Sequence, residues 1–159
     1  MPSLRRIAES DIADVLALND RNVSLLASMD EDRLHELEAI ADRFDVVDLD
    51  GEVAGFVVTF RAGTTYDSEN YRWFGDRYGE DFYYLDRIVV HERFRRRGLA
   101  SFVYDEIEAV AKTYHRLTLE VNLVPPNEAS LAFHHGRGYV EVGRRGDETK
   151  TVSLMQKEL

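Results

Sequence analysis

Cysteine is missing from this 159-residue chain, which excludes disulfides, thiolate metal sites and a cysteine nucleophile together. Any group transfer must use another nucleophile or go directly to its acceptor. Long apolar runs are missing as well. Stretches such as Val53 to Phe60 are far too short to span a bilayer, and Met1 to Ser10 holds no apolar leader region. The expectation is a cytoplasmic protein with no membrane partner. Basic charge is scarce, with 20 Lys plus Arg against 30 Asp plus Glu and a net charge of −10. Nucleic acid is therefore not expected as a partner, because phosphate binding is carried mainly by basic surface. Prolines number only three, and no low-complexity tract or linker divides the chain, so one domain over residues 1–159 is expected. A homodimer is left open.

The charge that is present is unevenly spread. Residues 1–81 balance at −11 and residues 82–159 at +1. Either these are solvated helix faces, or an acidic side faces a cationic acceptor and a neutral-to-basic side faces an anionic cofactor. Hydrophobic periodicity predicts a short strand at Leu4–Ile7, a helix after Ser10-Asp11, a second helix over Asp30–Asp42, and strands at Phe44–Leu49 and Val53–Phe60 joined by an Asp50-Gly51 turn. Further strands are expected at Phe82–Val90, Leu117–Val121, Tyr139–Gly143 and Thr151–Met155. Helices are expected from Gly98 and from Asn127 to about Gly136. The order predicts an α/β (α+β) single domain: a mixed, mostly antiparallel sheet flanked by helices, with one strand-helix-strand crossover. Arg61–Asp81 reads as a long loop rich in aromatics, either a binding loop or a loop pinned by its own rings.

The most informative segment is Val90-His91-Glu92-Arg93-Phe94-Arg95-Arg96-Arg97-Gly98-Leu99-Ala100-Ser101, a strand that passes through a basic turn into a helix. The first turn of a helix leaves backbone N–H groups unpaired and carries partial positive charge, so it can hold a phosphate. Gly98 and Ala100 keep the approach bare, and Arg95, Arg96 and Arg97 add positive potential. The alternative is a solvated basic turn or a small nucleic-acid patch.

Arg95-x-x-Gly98-x-Ala100 after a strand ending in Val90 resembles the pyrophosphate signature of the GNAT superfamily of acyl-CoA-dependent N-acetyltransferases. Asn127-Glu128-Ala129-Ser130-Leu131-Ala132-Phe133-His134-His135-Gly136-Arg137-Gly138-Tyr139 resembles that superfamily's later helix and the glycine-aromatic pair opening the next strand. The motifs cover about residues 82–145. The resemblance implies a GNAT-like fold, acetyl-CoA as co-substrate without a metal, and an amine as acceptor. It further implies that the backbone of Ile88, Val89 and Val90 pairs with the pantetheine arm and that the amides of Arg96 to Ser101, Leu99 among them, hold the pyrophosphate. Asn127 would bond the arm, with Phe133 packed near it.

Asp86 is an acid among apolar neighbours on a strand where the superfamily often carries its general base; a structural salt bridge is the alternative. Alternation places Tyr84, Asp86, Ile88 and Val90 on one face. His134 stands where many members have the tyrosine that protonates the departing thiolate, and is either that acid or a packed core residue. Tyr84, Tyr71 and Trp73 are the candidate acceptor contacts. A non-catalytic acyl-CoA-binding module is the alternative to an enzyme.

Overall fold

Seven strands, β1 (Pro2–Arg6), β2 (Arg43–Leu49), β3 (Glu52–Arg61), β4 (Tyr83–Val90), β5 (Arg116–Val124), β6 (Val140–Gly146) and β7 (Thr151–Glu158), form one sheet in the order β1-β2-β3-β4-β5-β7-β6. The computed structural model describes residues 1–159 throughout. Five helices, α1 (Ile12–Arg21), α2 (Glu31–Ile40), α3 (Glu69–Tyr78), α4 (Leu99–Ala111) and α5 (Glu128–Gly136), cover the sheet. All neighbouring strands are antiparallel except β4 and β5, which are parallel and joined through α4. The expected mixed, mostly antiparallel domain is the one found.

The two sides of the sheet carry separate cores. On one side α1, α2 and α3 bury Val15, Leu18, Leu34, Leu37, Tyr71 and Phe74 against β2, β3, β4 and β7. On the other, α4 lays Leu99, Val103, Tyr104 and Ile107 onto Tyr83, Leu85, Leu117 and Leu119. Local signals agree with this arrangement. Asp50 and Gly51 both take positive φ, at 54° and 87°, as the two-residue turn between β2 and β3 requires. Asp30 caps α2 by accepting from the Arg33 N–H.

Two expectations are corrected. Arg61–Asp81 is not a loop throughout: it contains α3, with Ser68 accepting from the Tyr71 N–H as its cap. Gly75 and a run of aromatics masked the helix, which is fixed by burying Tyr71 and Phe74 rather than by propensity. The shared face proposed for β4 also fails. Arg87 pairs with Val58 and Leu85 with Thr59, so Asp86 is the extra residue of a β-bulge. A bulge inverts the alternation beyond it. Tyr84 and Val89 therefore point to the α1–α3 side, whereas Leu85, Ile88 and Val90 pack on the α4 side.

Gly55 allows β3 to approach the end of β4, where it faces Val90. A Cβ there would lie 2.3 Å from the Val89 carbonyl oxygen and 3.2 Å from the Val90 Cα, and backbone cannot step aside as a flexible side chain can. Gly55→Ala is expected to destabilise the fold by about 1–3 kcal/mol, lowering Tm by roughly 3–10 °C. An unchanged melting curve would show that β3 shifts freely at this point.

Candidate active site in the gap between two strands

β4 and β5 are bonded only at Tyr83–Leu117 and Tyr84–Thr118. Beyond those pairs the strands part, and the facing edges from Leu85 onward on β4 and Leu119 onward on β5 have no sheet partner. The gap opens into a cleft of about 420 Å³ that passes through the sheet. Tyr104, Ser130 and His134 line it from the α4–α5 side, and Tyr66, Ser68 and Asn70 from the α3 side. A second hollow of about 550 Å³ lies over β1 and β3. Its charged groups apart from Asp14 are already paired, Arg5 with Asp11, Arg21 with Glu92 and Arg93 with Glu52, so the smaller cleft is the candidate site.

The turn from Arg95 to Ser101 leaves backbone donors free. Gly98 sits in the left-handed region at φ 73° as the N-cap of α4, without a side-chain cap bond. The backbone N–H groups from Arg96 to Ser101 donate to nothing within the chain. Arg95, Arg96 and Arg97 are exposed and form no ion pair. Orphaned donors at a helix start, beside unpaired arginines, fit a pyrophosphate. The unpaired β4 edge at Ile88 and Val89 lines the same cleft and fits an extended arm that pairs like an added strand. Val90 continues that strand but does not line the cleft. Asn127 accepts from the Ser130 N–H at 3.3 Å to cap α5 and also lines the cleft. Phe133 does not line it; its ring packs edge-on to Tyr104 and His134. No group of three or more His, Cys, Asp or Glu is arranged to hold a metal ion.

Asp86 lines the cleft, but both carboxylate oxygens are committed. Tyr66 donates to Oδ1 at 2.5 Å and Arg87 Nε to Oδ2 at 2.7 Å, within an ion pair whose side chains are 6% and 4% exposed. Arg87 also donates to the Asn19 side chain and the Ala27 carbonyl. The bulge residue is thus the anion of a buried clasp that ties β4 to α1 and to the segment before α3.

Sequence reasoning missed Glu120. From β5 it faces the α1–α3 side, accepts from the Tyr84 hydroxyl at 2.6 Å, and has no cationic ion-pair partner. Burial pushes its carboxyl up to about 7, with hydrogen bonds from Tyr84 and Asn70 opposing the rise and the Asp86 charge adding to it. Asn70 is oriented for this. Its Oδ1 accepts from Arg145 at 3.1 Å, which leaves its amide N–H groups for the carboxylate. The only signal in the sequence was an acid in the otherwise apolar run Leu117-Thr118-Leu119-Glu120-Val121.

His134 is buried and neutral in character, its pKa lowered by burial. Nδ1 lies 2.7 Å from the Ser130 carbonyl oxygen, which only accepts, so the proton is assigned to Nδ1. Nε2 then accepts from the Tyr104 hydroxyl at 2.5 Å. In this arrangement His134 holds no proton directed at the cleft. The three aromatic acceptor candidates are also corrected. Tyr84 and Tyr71 are buried, and Tyr71 is spent on the Arg61 carbonyl and Thr64. Trp73 packs against Phe74 and Gly143. None of the three lines the cleft.

The model of the Acetyltransferase (GNAT) family matches residues 12–139, and the chain belongs to that family. No curated protein matches it in sequence. Among solved structures, Ard1 from Thermoplasma volcanium superposes with a TM-score of 0.76 at 19% identity, over 99% of this chain and 97% of that one. The ribosomal-protein-S18-alanine N-acetyltransferase from Escherichia coli gives 0.68 at 18% identity, over 99% and 94%. The yncA acetyltransferase from Salmonella typhimurium, solved with its cofactor acetyl-CoA, gives 0.67 at 17% identity, over 99% and 94%. At these identities the likeness shows the fold.

Glu120 yields a stability prediction independent of activity. Its folded value of about 7 lies above the ordinary 4.5, so its contribution is complete below about pH 4.5 and lost as pH rises through about 7. Glu120→Gln should therefore melt close to wild type at pH 4. At pH 8 it should melt higher by about 3 °C or more, the shift that about 1 kcal/mol makes in a domain of this size. A gap that is equal at both pH values would show that Glu120 titrates normally.

Proposed function

We propose that this chain transfers the acetyl group of acetyl-CoA to a primary amine by direct attack in a ternary complex, with Glu120 as the proton acceptor. One observation carries the reading: the parting of β4 and β5 brings an unpaired strand edge and a carboxyl tuned to about 7 into a single cleft, beside the bare start of α4. A cofactor-binding module without chemistry has no need of that carboxyl. No helix is long and apolar enough to cross a membrane.

When bound, acetyl-CoA supplies an activated thioester. The chain's residues then have distinct tasks. The N–H groups of Arg96 to Ser101 and the three arginines bind the pyrophosphate, and the β4 edge at Ile88 and Val89 orients the arm. An amine has an ordinary pKa of roughly 10.4 and must lose a proton to attack. Glu120 takes that proton, directly or through one water. The new C–N bond forms at the thioester carbonyl carbon as the C–S bond breaks and the sulfur leaves with the electron pair. A thiolate with an ordinary pKa near 8.5 leaves readily, so the Tyr104–His134 pair is assigned to shaping the wall of the gap. Asp86 and Arg87 hold the bulge that keeps the strands apart.

Coenzyme A is expected to raise the thermal midpoint by mass action, and Gly98→Asp to abolish the shift by placing a carboxylate where the pyrophosphate binds. An equal shift in both proteins would remove the turn from the binding site.

Activity follows the deprotonated base. kcat/KM should fall as pH drops below about 7, and Glu120→Gln should lower it by about 10²-fold while keeping the coenzyme A shift. His134→Phe should cost less than about tenfold. Loss of the acidic limb in Asp86→Asn, with that limb intact in Glu120→Gln, would return the base to Asp86.

A further inference from the structure

On the α1–α3 side, the approach to Glu120 is a trough over β4, β5 and β7. The α1–α2 connection and α2 bound one side of it, and the β6–β7 hairpin bounds the other, with Leu26 and Arg33 contributed from the first and Lys150 and Val152 from the second. The segment 62–81 lies across this trough. Tyr71 and Phe74 of α3 share one core with Tyr84 of β4 and with Val152 and Leu154 of β7, so the helix is seated on the floor.

The segment is also fastened to both sides. Asp67 pairs with Arg33 of α2 at 2.6 Å. From the hairpin, Arg145 reaches Asn70 and Glu69, each at 3.1 Å. The Trp73 ring fills the space over Gly143 so closely that a Cβ there would lie 2.5 Å from a ring carbon. Tyr66, Ser68 and Asn70 form the end of the trough beside Glu120, and Tyr66 is itself bonded to Asp86.

Resting on the acetyltransferase reading, we propose that this trough is a dead end and that the acceptor is a free amine of low molecular mass, not a residue of a polypeptide. A chain presenting an internal lysine to Glu120 from across the sheet must run out of the trough on both sides, and α3 with its two fastenings occupies one of them. Volume argues the same way for a peptide N-terminus. The whole cleft is about 420 Å³, near the lower end of the roughly 300–1,000 Å³ that one small ligand occupies. Here the acetylated tip of the pantetheine arm and the acceptor must share it. Charge does not offset this, because Asp86 and Asp67 on its walls are neutralised by Arg87 and Arg33, leaving Glu120 to receive the amine.

The test uses the full chain with acetyl-CoA and follows thiol release. One arm holds low-mass primary amines: monoamines, diamines, amino acid amides and amino sugars. The other holds tetrapeptide amides with free N-termini and N-blocked peptides with a single internal lysine. The expected result is at least one low-mass amine whose kcat/KM exceeds that of every peptide by tenfold or more. A peptide within tenfold of the best small amine overturns the proposal, as does a panel in which no small amine reacts. The coenzyme A thermal shift separates the two levels of failure: with the shift present, only the acceptor assignment falls, and without it the acetyltransferase reading falls as well.

Discussion

β4 and β5 part after two paired positions, and most of what this molecule can do follows from that. A backbone edge inside a protein must find partners in other chain, in water or in a ligand. A parallel pair joined through a helix would ordinarily continue its ladder. Here the ladder stops, and the structure on either side keeps it stopped. Gly55 lets β3 follow the bulged strand closely, the Asp86–Arg87 clasp fixes the bulge from the α1 side, and the Tyr104–His134 contact stands against the gap from the α4 side. The cleft is therefore the consequence of an interrupted sheet rather than a hollow between two lobes.

Burying an ion pair beside that interruption is not an economical way to gain stability, since the desolvation of both charges offsets most of their attraction. The bonds made by Arg87 explain its place. It joins Asp86 on β4 to Asn19 on α1 and to the carbonyl of Ala27 beyond that helix, three points of the chain that no strand pairing connects. The same clasp acts on Glu120 in both directions, the Asp86 charge pushing its carboxyl up and the Arg87 charge, a smaller effect, pulling it down. The group that organises the bulge thus also tunes its neighbour.

How much of this was legible in the sequence depended on whether the information was local. Asp50-Gly51, the α4 periodicity and the Arg95-to-Ala100 turn act within a few residues of themselves, and each appears where the pattern put it. The bulge at Asp86 is set by pairing with β3 across the sheet, so alternation along β4 alone assigned Ile88 and Val90 to the wrong side and left open whether Asp86 is a base or one half of a salt bridge. Glu120 was invisible for the complementary reason. One acid in an apolar strand is ordinary, and its significance comes from Tyr84, Asn70 and Asp86, which lie 36, 50 and 34 positions away. α3 was lost because its helical character depends on burying Tyr71 and Phe74 against strands that precede and follow it.

The segment containing α3 also explains how a carboxyl on a splayed strand is kept from behaving as a surface glutamate. A gap that passes through the sheet is open to water from both sides, and a solvated carboxylate keeps an ordinary pKa. On the α1–α3 side that access is narrowed by Tyr66, Ser68 and Asn70, held in place by ties to α2 and to the β6–β7 hairpin. Asn70 meanwhile offers a hydrogen bond that limits how far the carboxyl rises. Burial alone pushes toward a permanently protonated acid, and hydrogen bonding alone toward a permanently ionised one; neither extreme serves a base that must accept a proton near neutral pH. The same few residues that narrow the trough set this balance, so the size of the acceptor and the readiness of the base are two outcomes of one piece of packing.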